Sequence, residues 1–213
     1  MRKMYLSAPL PFVGQKRMLA KEFMKVLEQY PDGTLFVDLF GGSGLLSHIT
    51  KSLKPHSTVI YNDFDNYRFR MKHIPQTNQL LADIREMVGN SVPRHKIIKG
   101  ELRERIFSRI EQEENSTGYV DFITLSSSIL FSMKYKLSVQ DMRKEALYNN
   151  IRKTGYPECT DYLEGLEIVS CDYKEVFNRY KDIPGVVFLV DPPYLSTDVG
   201  TYNMYWNMAD YLD

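Results

Sequence analysis

The sequence predicts an α/β protein in which an open, twisted and mainly parallel sheet is interrupted by a mainly helical insertion. Two observations lead to this prediction. Short β-prone apolar runs alternate with helical patterns in the first 65 residues and again after residue 165. Between these segments the strand pattern is lost. We therefore expect a sheet domain formed by residues 1–65 and 166–213, and an inserted subdomain formed by residues 66–165.

The composition is that of an ordinary globular chain and excludes several classes of protein. Of the 213 residues, 43% are hydrophobic and 25% are charged, which suits a folded domain rather than a disordered chain. Lys plus Arg (27) balance Asp plus Glu (27), so contact with a nucleic acid would require a local basic patch. Cys159 and Cys171 are too few for a disulfide framework or a zinc site, and we predict no metal.

Hydropathy gives no sign of a membrane or export segment. The N-terminal residues carry early positive charge but lack an apolar stretch of signal-peptide length. Nowhere does an apolar run approach the roughly 18 residues that mark a membrane-spanning helix. The low cysteine count suits a reducing compartment. These features predict a soluble cytoplasmic protein with no membrane partner.

The first predicted elements are a helix followed by a strand, a glycine turn, a second helix and a second strand. Residues 15–30 place apolar side chains at helical spacing until a Pro-Asp-Gly sequence stops the pattern. A β-prone run over residues 34–40 ends in the glycine turn, and residues 45–53 then predict a helix. A strand over residues 57–61 completes a β-α-β unit, as in an open α/β sheet.

The later elements separate the insertion from the end of the sheet. The insertion contains charged helical patterns and a Ser-rich, then Tyr- and Lys-rich, stretch over residues 126–135. The final apolar run is continuous, which predicts a central parallel strand buried on both faces. Helices are predicted over residues 80–88, 100–114 and 174–180, and strands over residues 166–172 and 185–191.

The glycine turn and the acid that follows the second strand point to a cofactor that contains adenosine. Gly41, Gly42 and Gly44 let the backbone approach a ligand above the carboxyl edge of the sheet, and Asp63 lies 19 positions beyond Gly44. An acid at that spacing suits a ribose hydroxyl pair. The glycines lack the G-x-G-x-x-G order, so a nucleoside without a pyrophosphate fits better. Taken alone, these features are equally consistent with a purely structural turn.

The sequence Asp191-Pro192-Pro193-Tyr194, at the end of a predicted buried strand, is the strongest chemical signal. An exocyclic amine on a purine is a poor nucleophile, because its lone pair is delocalised into the ring. Asp191 and the Pro192 carbonyl offer acceptors for the two N–H groups of such an amine. Tyr194 offers a flat surface on which an extruded base can stack. The alternative is a strand ended by prolines, with a tyrosine in a packing role.

These motifs, taken in order, resemble the Dam-like (D12 class) DNA adenine-N6 methyltransferases, which use S-adenosylmethionine and have a Rossmann-like methyltransferase sheet. The resemblance covers residues 11–17, the first two strands and residues 166–194. It implies that the sheet domain binds S-adenosylmethionine and carries the catalytic site. The residues that match the family's catalytic motif are Asp191, Pro192, Pro193 and Tyr194. The residues implied in cofactor binding are Phe12, Lys16, Asp38, Phe40, Gly41, Gly42, Gly44, Asp63 and Asp172.

The first residue of the catalytic motif separates this family from its neighbours. Cytosine-N4 enzymes usually carry Ser at this position and protein glutamine methyltransferases usually carry Asn, whereas this chain has Asp191. The resemblance therefore implies site-specific methyl transfer from S-adenosylmethionine to N6 of an adenine extruded from double-stranded DNA, in a restriction-modification or phage setting. Methylation of RNA or of a protein amide is the alternative reaction.

The resemblance also implies that residues 66–165 form a target-recognition, DNA-binding subdomain. Basic residues interleaved with tyrosines suit phosphate contact and base stacking. Solvated helix faces are the alternative, since several glutamates accompany the basic residues. The Gly- and Asn-rich hairpin of GATC-reading relatives is missing, so GATC specificity is not implied. The basic residues are Arg68, Arg70, Lys72, Arg94, Lys96, Lys99, Arg103, Arg105, Lys134, Lys136, Arg143, Lys144, Arg152 and Lys153, and the tyrosines are Tyr135, Tyr148 and Tyr156.

The distance from the catalytic motif to the end of the chain departs from the family pattern. Only 19 residues follow Tyr194, whereas the family sheet continues with further strands. We therefore expect the C-terminal strands to be missing. This would fit a truncated, non-catalytic DNA- or cofactor-binding remnant, or a sheet completed by self-association or by a complementing chain, because a half-sheet exposes an apolar edge.

Overall fold

In a computed structural model, the chain forms two compact units, and the structure describes residues 3–14, 16–131 and 134–192. The first unit contains the residues up to Phe69 and those from Cys159 onward. The second unit is Arg70–Glu158. The sequence patterns put the boundaries of the insertion at 65/66 and 165/166. The division of roles between a cofactor-binding catalytic domain and a DNA-binding insertion stays a prediction.

The described residues form helices and strands whose bounds follow. The helices are α1 (Ala20–Leu27), α2 (Leu45–Leu53), α3 (Tyr67–Lys72), α4 (Ile74–Val88), α5 (Gly100–Thr117), α6 (Phe122–Ile129), α7 (Val139–Arg143) and α8 (Tyr173–Tyr180). The strands are β1 (Phe36–Asp38), β2 (Val59–Asn62), β3 (Ile97–Ile98), β4 (Leu147–Tyr148), β5 (Glu167–Val169) and β6 (Val187–Leu189).

The first unit is built on a parallel sheet with the strand order β5-β2-β1-β6. Because side chains alternate across a strand, Phe36 and Val37 of β1 point to opposite faces. Phe36 packs with apolar residues of α1 and α2, whereas Val37 packs with Val176 of α8. The predicted α/β class and open parallel sheet are thus confirmed, with helices on both faces as such a sheet requires.

The strand order places a topological switch point between β1 and β6. The chain runs from β1 through α2 to β2 and on to β5, and α8 then returns it to the other side of β1. Ligands of open α/β sheets bind outside the carboxyl ends of the strands at such a point. Asp38 ends β1 opposite Leu189, and Asp191 lies two residues beyond Leu189. The fold therefore brings these two acids to the same edge.

The structure bears on the expected start of the first helix and on the expected central strand. The helix expected from residue 15 begins at Ala20, and Met18, an apolar residue within the expected helix, is 85% exposed. The strand expected to be central, β6, pairs with β1 alone within the described part of the chain. Residues 193–213 lie outside the described residues, so the expectation of missing C-terminal strands stays a prediction.

The second unit contains α4 to α7 and a two-stranded antiparallel ribbon of β3 and β4. In the ribbon, Ile97 pairs with Tyr148 and Ile98 with Leu147. The predicted helices over residues 80–88 and 100–114 lie within α4 and α5, but the ribbon was not predicted. None of the helices described in either unit is long and apolar enough to cross a membrane.

Candidate active site

In the first unit, the predicted catalytic acid, Asp191, lies just beyond the carboxyl end of β6. Lys16 Nζ lies 2.8 Å from Asp191 Oδ2 and donates to the Gly14 carbonyl at 3.0 Å. The two charged side chains are only 17% and 22% exposed, so solvent screens this pair incompletely. The structure thus brings a residue predicted to bind the cofactor, Lys16, into contact with the predicted catalytic carboxylate. Pro192 is half-buried, and Pro193 and Tyr194 lie outside the described residues.

Asp38 is a fully buried carboxyl group beside this pair. The Ser47 hydroxyl donates to Asp38 Oδ2 at 2.6 Å, whereas Oδ1 has no hydrogen-bond partner among the described residues. Burial raises the pKa of Asp38 to about 7, with the Ser47 hydrogen bond opposing the rise and the charge of Asp191 adding to it. A buried acid with an unsatisfied oxygen is a favourable place for a positively charged group.

The glycine turn after β1 is packed tightly under aromatic rings. A Cβ on Gly41 would lie 2.3 Å from the ring of Tyr61, far inside van der Waals contact. Gly42 has a φ of 48°, and a Cβ there would lie 3.0 Å from the ring of Phe12. Gly44, also in the left-handed region, precedes the first residue of α2. The turn therefore requires glycine for steric reasons that the structure itself shows.

Asp63 follows β2 and fixes the start of α3. Its Oδ1 accepts from the Tyr67 N–H at 2.6 Å and from the Tyr61 hydroxyl at 3.0 Å, and its Oδ2 accepts from the Arg68 N–H at 3.0 Å. Burial raises the pKa of Asp63 even though these donors oppose the rise. Because two carboxylate oxygens offer about four acceptor sites, a ribose hydroxyl can still be accommodated. The predicted ribose contact stays a prediction.

The acid that follows β5, Asp172, is an exposed N-cap of α8. Its Oδ1 accepts from the Lys174 N–H at 2.8 Å. The next residue, Tyr173, packs against Phe40, with 5.0 Å between the ring centroids. The structure thus brings two predicted cofactor residues close together, because Phe40 packs against Tyr173 and Asp172 is the residue before Tyr173. Their binding roles stay predictions.

Three residues of this edge were missed by the sequence patterns. Asn62 Nδ2 donates to the carbonyls of Leu39 and Cys171 at 3.0 and 2.9 Å, and its Oδ1 accepts from the Cys171 N–H at 3.1 Å. The Tyr61 hydroxyl lies 2.8 Å from the Gly42 carbonyl and 3.0 Å from Asp63 Oδ1, so these two acceptors share its single proton. With Ser47, these side chains hold the strand ends and the glycine turn. The available signal was the position of Tyr61 and Asn62 immediately before the strand-end acid.

In the second unit, ion pairs engage several of the basic residues predicted to contact DNA. Those with a carboxylate partner are Arg70 (Asp121), Arg103 (Glu104), Lys134 and Lys136 (Glu145), Arg143 (Glu104 and Glu111) and Lys144 (Asp141). Such pairs neutralise the charge that a phosphate would need. Within the described residues, no ion pair is found for Arg68, Lys72, Arg94, Lys96, Lys99, Arg105, Arg152 or Lys153.

The parallel sheet, the glycine turn and the acids at its carboxyl edge are consistent with a Rossmann-like methyltransferase. Comparison with known proteins gives the family. Residues 12–213 match the D12 class N6 adenine-specific DNA methyltransferase family, and the chain belongs to that family. It is also 39% identical over 217 residues to a Haemophilus influenzae protein named "Putative methyltransferase", a match that takes in 99% of this chain and 72% of that protein. The predicted family is confirmed, and membership indicates a methyltransferase.

Proposed function

We propose that this protein transfers a methyl group from S-adenosylmethionine to N6 of adenine in double-stranded DNA, at a specific site. The observation that carries the proposal is the Asp191-Pro192 pair at the carboxyl end of β6, beside Asp38 at the switch point of the sheet. The family description supports adenine in DNA as the acceptor.

Asp191 and Pro192 would make the adenine amine nucleophilic. Lys16 binds Asp191 Oδ2, and Oδ1 is then the oxygen that accepts one N–H of the amine. The Pro192 carbonyl accepts the other N–H. Two acceptors placed out of the ring plane draw the lone pair of N6 away from the ring, towards the methyl group. The negative charge of Asp191 would also stabilise the positive charge that develops on N6 as the sulfur–methyl bond breaks and S-adenosylhomocysteine leaves as a neutral thioether. One N6 proton would then pass to solvent, which gives N6-methyladenine.

The residues at the edge of the sheet fit a cationic nucleoside cofactor. S-adenosylmethionine, when bound, supplies an electrophilic methyl group on a sulfonium that carries a positive charge. The buried Asp38, with its unsatisfied Oδ1, suits the cationic part of such a molecule. We propose that Phe12, Phe40, the glycine turn, Asp63 and Asp172 hold the remainder.

Lys16 would act on Asp191 rather than on the cofactor alone. Its ammonium spans the Gly14 carbonyl and Asp191 Oδ2, which restricts the carboxylate to one orientation. A fixed acceptor is more effective than a mobile one, because no reorientation is needed when the amine arrives. We therefore propose that Lys16 is a positioning residue for Asp191.

The proposal is tested by following methyl transfer from S-adenosylmethionine labelled in its methyl group into unmethylated duplex DNA, with analysis of the modified base. We expect N6-methyladenine from the wild type and a loss of at least about 100-fold for Asp191→Ala, because the amine loses a positioned acceptor. Asp182→Ala, which removes an exposed carboxylate of the same unit, should leave the rate unchanged.

Two outcomes would overturn the proposal. Adenine methylation that survives in Asp191→Ala would remove the role given to this carboxylate. Label that appears in RNA or in a protein amide, but not in DNA, would replace the proposed substrate. Circular dichroism and thermal melting of each variant show whether the fold is retained.

A further inference from the structure

We propose that Tyr67 is a positioning residue for S-adenosylmethionine, because it ties the N-terminal segment that carries Phe12 to the strand-end acid Asp63. This inference rests on the proposed function, since Phe12 and Asp63 are two of the residues assigned to the cofactor. Tyr67 is fully buried at the start of α3 and is not itself one of the assigned residues. Its hydroxyl, its ring and its backbone N–H each contact a different group in this part of the first unit.

The Tyr67 hydroxyl satisfies both backbone groups of Leu10. It accepts a hydrogen bond from the Leu10 N–H at 2.9 Å and donates to the Leu10 carbonyl at 3.2 Å. Leu10 is only 1% exposed, so water has little access to either group if the hydroxyl is removed. A buried N–H or C=O that loses its partner costs free energy. One side chain therefore holds the backbone of a segment 57 positions earlier in the chain.

The ring of Tyr67 packs against Phe12, which lies two residues beyond Leu10. The two rings meet edge to face, with 5.8 Å between their centroids and 80° between their planes. The Phe12 ring also lies close to the glycine turn, since a Cβ on Gly42 would be 3.0 Å from it. Phe12 is thus confined by Tyr67 and by the turn. Edge-to-face contacts between aromatic rings have a preferred geometry, so this contact helps to fix the orientation of Phe12.

The backbone of Tyr67 contacts the acid that is predicted to bind the ribose. Its N–H donates to Asp63 Oδ1 at 2.6 Å, and the Arg68 N–H donates to Asp63 Oδ2 at 3.0 Å. Donors on both oxygens restrict rotation of the carboxylate. Because the side chain of Tyr67 is held by Leu10 and Phe12, the position of Asp63 is linked to that of the N-terminal segment. Tyr67 therefore joins two residues that are distant in sequence and assigned to one cofactor.

The N-terminal segment has a second, separate anchor at Tyr5. The Tyr5 N–H donates to His48 Nε2 at 2.9 Å, and the Tyr5 hydroxyl donates to Asp161 Oδ1 at 2.7 Å. The ring of Tyr5 also meets the rings of His48 and Tyr162 edge-on. This anchor keeps the beginning of the segment in place when the Leu10 contacts are lost. Removal of the Tyr67 hydroxyl should therefore loosen the segment around Phe12 without detaching it.

A loosened Phe12 would lower the affinity for the cofactor and leave the chemical step intact. Binding of S-adenosylmethionine would then have to order the segment. The apparent affinity falls in proportion to the fraction of molecules in which the segment is already in place. The transfer step depends instead on the contact between Lys16 and Asp191. A positioning role for Tyr67 therefore predicts a raised KM for S-adenosylmethionine and an unchanged kcat.

Calorimetry with S-adenosylmethionine tests the assignment in Tyr67→Phe, which removes the hydroxyl and keeps the ring. We expect the Kd to rise by about 5- to 30-fold, as the loss of one or two buried hydrogen bonds implies. In the methylation assay, KM for S-adenosylmethionine should rise by a similar factor, and kcat should stay within about twofold of the wild type. An unchanged Kd, or a loss confined to kcat, would overturn the assignment.

Tyr30→Phe is the matched control for the loss of a tyrosine hydroxyl. The Tyr30 ring packs against Phe36 with nearly the same geometry as the Tyr67 ring against Phe12, with 5.8 Å between centroids and 82° between planes. Phe36 is the first residue of β1, at the end of the strand away from the candidate site. We expect Tyr30→Phe to bind S-adenosylmethionine as the wild type does. An equal loss of affinity in both variants would indicate a general loss of stability and would overturn the assignment.

A double-mutant cycle with Phe12→Ala separates positioning from a general effect on the fold. If Tyr67 acts through Phe12, its hydroxyl has no ring left to position once Phe12 is truncated. Addition of Tyr67→Phe to Phe12→Ala should then change the Kd by less than about twofold. Additivity of the two single effects would overturn a role through Phe12. Thermal melting of the four proteins without ligand shows whether each is folded.

Failure of this assignment is distinguishable from failure of the proposed function. A wild type that methylates adenine, with a Tyr67→Phe variant of unchanged Kd, overturns the assignment alone. A wild type that binds S-adenosylmethionine but leaves DNA unmodified overturns the proposed function, and the comparison of Kd values still decides the role of Tyr67. A wild type that binds no S-adenosylmethionine overturns both.

Discussion

Asp38 is a carboxyl group buried at the carboxyl end of β1, with the Ser47 hydroxyl on one oxygen. Water cannot stabilise its charge, so burial raises its pKa to about 7 and favours the protonated form. A positively charged ligand at Oδ1 could take the place of that proton. The residue thus provides a reason, independent of sequence motifs, to expect a cation at this edge of the sheet.

Asp38→Asn should change how stability depends on pH. The folded-state pKa of about 7 exceeds the usual value of 3.8, so the folded state holds a proton that the unfolded state releases between about pH 4 and pH 7. Stability from this group is therefore present below about pH 4 and is lost as the pH rises to about 7. Asparagine does not ionise. The free energy of unfolding of the variant, relative to that of the wild type, should therefore rise over this pH range by an amount on the order of 4 kcal/mol at most.

Thermal melting of both proteins without ligand at pH 5 and pH 8 measures this effect. The two proteins are compared by their difference in Tm at each pH. Other groups with raised pKa values, such as Asp63, are present in both proteins, so their contributions cancel in this difference. A difference that is the same at both pH values would show that Asp38 does not titrate in this range.

Gly41 should not tolerate even a methyl group. A Cβ at this position would lie 2.3 Å from two atoms of the Tyr61 ring and 2.7 Å from the Asn62 carbonyl. We expect Gly41→Ala to destabilise the protein by about 1–3 kcal/mol, as overpacking of a core does. The same change in a Tyr61→Ala background should cost less, since the ring is then absent. Urea unfolding of the four proteins in the cycle gives the coupling, and strictly additive effects would contradict the proposed clash.

At the scale of elements, side chains reinforce the strand ladder at the carboxyl ends of the sheet. Asn62 links the end of β1, through the Leu39 carbonyl, to the segment after β5, through Cys171. Asp63 holds the first turn of α3 in the same region. Loops that leave parallel strands carry few ladder bonds of their own, so these contacts keep the edge ordered enough to bind a ligand.

Asp172 is the N-cap of α8 and is also predicted to bind the cofactor. A single substitution can separate these two roles. As the N-cap of α8 it should contribute about 0.5–2 kcal/mol, and Asp172→Ala should lower the free energy of unfolding by that amount. Ser138→Ala is the control, because Ser138 caps α7 of the second unit in the same way. Both variants should lose stability, but only Asp172→Ala should weaken S-adenosylmethionine binding in calorimetry. Unchanged affinity would leave Asp172 with the capping role alone.

At the scale of the whole molecule, local patterns predicted the elements that have strong local signals. The run that became β1 is apolar and ends in glycines, and α2 matches its predicted bounds of residues 45–53. Four strands were predicted in the sheet and four are described. The motif order gave the family, because several short and specific motifs follow the predicted strands in the order of that family.

Features that depend on distant contacts were not predictable in this way. The ribbon has two residues in each strand, and three helices separate β3 from β4, so no periodicity reveals it. The contact between Lys16 and Asp191 joins the beginning of the first unit to the end of its described part. The exposure of Met18 also shows that apolar spacing alone did not define the start of α1. Each of these outcomes is decided by tertiary packing rather than by local sequence.

The strand order of the sheet determines when the candidate site can form during synthesis of the protein. Asp38 ends β1 and Asp191 follows the neighbouring strand β6, yet β1 precedes the whole second unit in the chain and β6 follows it. The crevice between them cannot exist until β6 has emerged and docked beside β1, after the entire second unit has been synthesised. A nascent chain therefore carries its glycine turn before Asp38 and Asp191 can come together, and the proposed site is absent until β6 has docked.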